Sequence, residues 1–236
     1  MDIAIAAEGV TDQQTLQNML LGFFKSQKIE LAERDIRFVQ PHQDASDEGG
    51  RGYWGSWTNL ISYLKNDDFV EDLNAHDQLI VQIDTDICHP EKFDVDLQGE
   101  KGAQVGCQEI VEIVTEALSR VIDENANTSF SNVSDKIIFA ISVHSIECWI
   151  FKYYTKKRNV RERSLDCWTK LDNCLKTEHP KSKLTCDKSG KNYATLTKAF
   201  RKPKEFRKLE NIDPSLDIFI GSLLAADWNV DEDDDW

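Results

Sequence analysis

Two short acidic motifs stand directly after apolar runs in this sequence. Glu8-Gly9-Val10-Thr11-Asp12 follows Ile3 to Ala7, and Asp84-Thr85-Asp86 follows Leu79-Ile80-Val81-Gln82-Ile83. Short apolar runs of this kind read as buried strands. In an open parallel α/β sheet, ligands bind in the crevice outside the carboxyl ends of the strands. Carboxylates gathered there repel one another until a cation or shared protons relieve them. The pattern therefore points to an oxygen-liganded Mg²⁺ or Mn²⁺ and to metal-assisted phosphoryl chemistry. Side chains alternate along an extended chain, which would put Asp84 and Asp86 on one side, able to share one cation. Gly9 would let the backbone come close to a ligand. Each residue also has a plain structural reading: Thr11 or Asp12 as a helix cap, and Glu8 as an acid favoured at a helix N-terminus.

The elements that must position these residues run β-α-β-α-β-α-β and then turn helical. Strands are expected at 2–7, 36–39, 78–83 and 137–143, the second stopped by Pro41. The first helix is expected from Thr11, as N-cap with Gln14 three residues on. A second carries Trp57, Leu60, Ile61 and Leu64, and a third spans 110–122 with apolar residues at helical spacing. Between strand and helix lie a glycine-rich loop containing Arg51 and a polar stretch, 88–106, expected to arch over the strand ends. After His144, helices are expected over 145–157, 164–176, 193–202 and 215–228. The fold class is α/β, a Rossmann-like, mostly parallel four-stranded sheet flanked by helices. Residues 1–157 form the expected core, 158–230 a basic helical extension packed on it, and 231–236 an acidic tail.

Charge is segregated along the chain. The net charge is −14, yet residues 151–208 hold 18 of the 28 Lys+Arg and only 6 of the 42 Asp+Glu, leaving 10 and 36 elsewhere. A basic block set against an acidic body suits a surface that tracks a phosphate backbone, although solvated helix faces give the same composition. Lys181, Lys183 and Lys188 in that block, and Arg51 from the loop after strand two, are the candidates for nucleic-acid contact. No apolar run approaches the roughly 20 residues needed to cross a bilayer, and Met1-Asp2-Ile3 opens a strand rather than a basic leader, so a cytoplasmic protein with no membrane association is expected. The six cysteines show no CxxC pair and are expected as reduced thiols. Cys167, Cys174, His179 and Cys186 are a weak zinc set, lacking short paired knuckles.

Taken together, Glu8-Gly9-x-x-Asp12 followed by Asp84-x-Asp86 resembles the Toprim fold of topoisomerases, primases and OLD-type nucleases over residues 1–155. Ser142-Val143-His144-Ser145-Ile146-Glu147-Cys148-Trp149 is similar to the I-E-x-W signature of small Toprim-like proteins of bacterial antiphage defence, often encoded beside an ABC-type ATPase. One departure is that Ile87, Cys88 and His89 follow the second aspartate, where many Toprim proteins have glycine two residues on. The resemblance implies a Mg²⁺-dependent nuclease acting on DNA or RNA. Glu8, Asp84, Asp86 and Glu147 would be metal ligands and catalytic residues, and Lys191 a late lysine that stabilises phosphate charge. It also implies an ABC-type or AAA-like ATPase partner, with a homo-oligomer as a further possibility. His144 is a candidate ligand or proton donor, and Trp149 reads as core packing ahead of base stacking. Two other readings stay open: a catalytically silent Toprim-like module that binds or senses a partner, and an aspartate-nucleophile phosphatase using Asp84.

Overall fold

The computed structural model describes residues 1–41, 56–88, 105–156 and 165–228. Arg51 and the acidic tail lie outside the described residues. Four strands form one sheet: β1 (Ile3–Ala6), β2 (Ile36–Gln40), β3 (Gln78–Asp84) and β4 (Ile137–Ser142). All neighbouring pairs are parallel, in the order β2-β1-β3-β4. Eight main helices accompany them among the described residues: α1 (Val10–Ser26), α2 (Trp57–Leu64), α3 (Asp67–Ala75), α4 (Cys107–Asp123), α5 (Ile146–Tyr154), α6 (Cys167–Glu178), α7 (Gly190–Leu196) and α8 (Pro214–Ala225). The molecule is thus α/β, with an all-parallel sheet and helices on both faces.

The alternation of β1 shows why both faces must be covered. Ile3 and Ile5 pack into one apolar cluster with α1, α5 and the helices beyond it. Ala4 and Ala6 pack into a second cluster with α2, α3 and α4. Every residue of β1 is fully buried, as expected of a strand covered on two sides. The chain moves from β1 outward to β2, then back across β1 to β3 and on to β4. Its helices change face where that direction reverses, as crossovers of one hand require. The reversal creates a crevice between the carboxyl ends of β1 and β3, where ligands bind in sheets of this kind.

The C-terminal helices are integral to the first cluster. Gly22 of α1 lies so close to the Lys198–Arg201 turn that an added Cβ would stand 1.9 Å from the Phe200 carbonyl oxygen. Asn18 of α1 donates to Thr197 Oγ1 at 2.6 Å and to the Ala194 carbonyl at 3.1 Å. On the far side, a buried ion pair joins Lys152 of α5 to Asp213 at 2.6 Å. Asp213 also caps α8, accepting from the amides of Ser215 and Leu216.

Several expectations require correction. The N-cap of the first helix is Gly9, not Thr11, and no side chain caps it. Helix α3 was not expected, because Phe69, Val70 and Leu73 are too few among acidic neighbours to declare a period. The expected helix over 193–202 breaks into α7 and a 3₁₀ turn at Thr197, whose buried hydroxyl donates to the Tyr193 carbonyl. Cys148 and Cys167 form a disulfide rather than staying as separate thiols: α5 and α6 pack side by side and bring their Cα atoms to 4.9 Å. Spacing could not show this, since the two lie 19 residues apart. Among the described residues no helix is long and apolar enough to cross a membrane.

Candidate metal centre

The carboxylates arrive from three neighbouring connections at the strand ends. Glu8 follows β1, Asp12 lies in the first turn of α1, Asp84 ends β3, and Glu147 lies in the first turn of α5 after β4. All four line one cavity of about 270 Å³, together with Gly9, Thr11 and Lys188. Gly9 leaves room for this convergence: a Cβ there would press to 3.1 Å from Asp12 Oδ2. Buried Gln82 ties the strand ends together, accepting from the Glu8 amide at 3.2 Å and donating to Asp84 Oδ1 at 2.8 Å. The same Asp84 oxygen accepts from the Ile146 amide at 3.0 Å, which fixes the start of α5. Tyr193, fully buried on α7, donates to Glu147 Oε1 at 2.6 Å. Lys188 Nζ stands 4.0 Å from that same oxygen, with its side chain 69 % exposed.

The electrostatics follow from this crowding. Burial pushes the Glu8 carboxyl up to about 7, aided by the negative charges of Asp86 and Glu147, while the Asp84 amide and Lys188 pull it partly back. Asp12 and Asp84 are raised well above the usual carboxylate range, first by burial and then by neighbouring carboxylates. Among the described residues, Glu8 Oε2 is buried without a hydrogen-bond partner. A buried acceptor left open is costly, and a cluster of oxygen donors short of positive charge suits a hard divalent cation. Glu8, Asp12, Asp84 and Glu147 line the cavity in which it would sit.

Not every anticipated residue lies here. Asp86 does not continue the extended strand: Thr85–Ile87 is a 3₁₀ turn, so the alternation that would align it with Asp84 is lost. Asp86 is exposed and outside the cavity lining, although its charge still raises Glu8, and its amide donates to the His144 carbonyl at 3.0 Å. Lys191 is exposed in the first turn of α7, also outside the lining, and Lys188, three residues earlier, is the lysine that reaches the carboxylates. Lys181 and Lys183 are exposed along the segment leading to Lys188. Trp149 is fully buried, donates to Ser215 Oγ at 2.9 Å and stacks on Phe219, which makes it core. The weak zinc set assembles only in part: Cys167 is bonded to Cys148, while Cys174 and His179 offer ligand atoms within 4.8 Å of each other beside Glu178. Asp12 and Tyr193 are the residues sequence reasoning undervalued. Asp12 carried a signal, four residues after Glu8, but one shared with ordinary helix caps; Tyr193 carried none.

A roomier cavity, about 470 Å³, lies elsewhere between the end of α1 and Arg201. Its Arg201 and Glu33 are already paired with each other, so it lacks the uncompensated charge that marks the strand-end site. No family model, curated protein or solved structure matches this chain. Its chemistry rests on its own residues.

Proposed function

We propose that this chain is a Mg²⁺- or Mn²⁺-dependent nuclease of Toprim-like type, cleaving phosphodiester bonds in DNA or RNA. One observation carries the reading: Glu8, Asp12, Asp84 and Glu147 converge on a single cavity at the β1/β3 crevice, with one lysine for four carboxylates. When bound, a divalent cation there supplies charge stabilisation for a phosphodiester undergoing displacement. The chain's own residues do the rest. Gln82 and Tyr193 hold Asp84 and Glu147 in place, and Glu8, whose Oε2 is buried without a hydrogen-bond partner among the described residues, is the carboxylate we assign to help deprotonate the attacking water. Lys188 overlooks the carboxylates from the solvent side, where an anionic substrate would approach, and Lys181 and Lys183 extend the positive charge. A role in antiphage defence with an ATPase partner belongs to the same proposal and rests on the resemblance of the motifs alone.

The test is cleavage of plasmid, linear duplex and total RNA with Mg²⁺ or Mn²⁺, with and without a partner ATPase, for wild type and Asp84→Asn. Metal-dependent cleavage lost in Asp84→Asn supports the nuclease. Cation binding without cleavage under any of these conditions favours the silent binding module instead.

A further inference from the structure

Behind the first turn of α5 lies a second ligand cluster that the carboxylate site does not use. His144, Cys148 and Cys167 each offer one ligand atom, all within 4.8 Å of one another. His144 sits in the turn between β4 and α5 with a left-handed backbone, φ 75°. Cys148 follows four residues later, and Cys167 opens α6. The thiols are held as a disulfide, so the imidazole faces sulfur already satisfied by sulfur. The ring itself has little to hold it. Among the described residues its Nδ1 is buried with no partner, and its Nε2 receives only a long hydrogen bond, 3.4 Å, from the Asp166 amide. Nδ1 is buried without a partner among the described residues, and one nitrogen of the same ring lies within 4.8 Å of both sulfurs, an arrangement that packing explains poorly and a bound ion explains well.

We infer that the reduced protein binds a zinc-class ion through His144, Cys148 and Cys167, and that the disulfide is the closed form of this site. Opening it is a two-electron step. The S–S bond takes two electrons and two protons from a dithiol, which closes to its own disulfide, or from a phosphine, which takes oxygen from water. Zn²⁺ then displaces the two thiol protons and is held by two thiolates and one imidazole. Two thiolates neutralise the ion within a buried setting, and the soft sulfurs select zinc over the Mg²⁺ that suits the carboxylate cavity. Cys148 and Cys167 are essentially inaccessible, whereas His144 is partly exposed and marks the way in. The site also lies against the strand ends: the His144 amide donates to Thr85 Oγ1 at 2.7 Å and its carbonyl accepts from the Asp86 amide.

Cobalt(II) distinguishes the two centres, because only thiolate ligation gives an intense near-ultraviolet charge-transfer band. The full chain, reduced with a phosphine, is titrated with Co²⁺ and then Zn²⁺. The expected result is a saturable thiolate band, abolished by Zn²⁺, absent from the oxidised protein and from Cys148→Ser and Cys167→Ser, and retained in Cys174→Ser and Cys186→Ser. His144→Asn keeps a residue tolerant of left-handed backbone, and should weaken Co²⁺ binding by roughly tenfold or more. Should the serine variants fold poorly, alkylation and mass mapping of wild type replace them, with Zn²⁺ expected to protect Cys148 and Cys167 alone. No thiolate band in the reduced protein overturns the inference, as does a band or protection that maps to Cys174 and Cys186. Neither result bears on the carboxylate site, whose cobalt complex has no sulfur band.

Discussion

Replacing Glu8 with Gln should convert a pH-dependent stability into a flatter one, by an amount the site itself sets. The Glu8 carboxyl is raised from 4.5 to about 7 in the folded protein, mainly by burial and then by Asp86. A raised acid binds its proton more tightly folded than unfolded, so its stability contribution is full below 4.5 and is lost as pH rises to about 7. At about 1.4 kcal/mol per pH unit, the loss across that window is about 3 kcal/mol. Glu8→Gln cannot ionise and should escape it, and should also relieve Asp12 and Asp84, whose raised carboxyls count Glu8 among their causes. Urea denaturation in chelator-treated buffer from pH 4.5 to 8 measures this directly. The variant should gain on wild type by about 3 kcal/mol between the ends of the window, with added Mn²⁺ closing the gap at the alkaline end by stabilising the wild type. A difference between the two proteins that does not vary with pH would refute the assignment of Glu8 as a buried, crowded carboxyl.

Three further outcomes follow from particular features of the packing and the charge. Gly22→Ala should cost about 1–3 kcal/mol or more in denaturant unfolding, because the new methyl meets the Phe200 carbonyl and backbone must move; an unchanged midpoint would contradict the close approach of α1 to the Lys198–Arg201 turn. Asp213→Ala should cost about 3–5 kcal/mol, since it removes the buried carboxylate paired with Lys152 and uncaps α8, while Lys152→Met should cost less because Asp213 keeps its bonds to Ser215 and Leu216; equal losses would sink that ranking. Charge reversal of Lys181, Lys183 and Lys188 together should weaken nucleic-acid binding to all sequences alike and flatten its salt dependence, by about 0.9 in log–log slope for each phosphate of duplex DNA that the variant no longer neutralises. Parental affinity and slope in that variant would move the substrate path elsewhere.

The sheet was legible in the sequence because each strand is a short apolar run with a turn residue at its end. Leu79 to Ile83 and Ile137 to Val143 are covered on both faces, with Phe139 half-buried, and such short apolar runs suit a covered strand. Helix α4 was equally clear from its repeating Ile and Val. Glu8 and Asp84 were legible because acids directly after such runs land at one end of a parallel sheet, whereas Glu147, four residues beyond Val143, was expected only from the resemblance of 142–149 to the I-E-x-W signature. What escaped was decided in three dimensions. Whether Asp12 caps a helix or enters a cavity depends on which way α1 faces, and that depends on β2 and the C-terminal helices. Asp86 depends on a single tight turn that overrides the strand period. The choice of Lys188 over Lys191 depends on where Ser189 begins α7, and the pairing of Cys148 with Cys167 depends on how α5 and α6 lie together.

The central claim is that Glu8, Asp12, Asp84 and Glu147 form one divalent-cation centre, and proton release on metal binding tests it most directly. Carboxyls raised by burial and by their neighbours' charges must give up protons when a cation displaces them. Calorimetric titration with Mn²⁺ at pH 6, repeated in buffers of different ionisation enthalpy, should show saturable binding with protons released. The release should shrink as pH rises past the Glu8 value of about 7, and Asp84→Asn should lose most of the affinity. Absence of saturable binding, binding without proton release at pH 6, or undiminished affinity in Asp84→Asn would contradict the account.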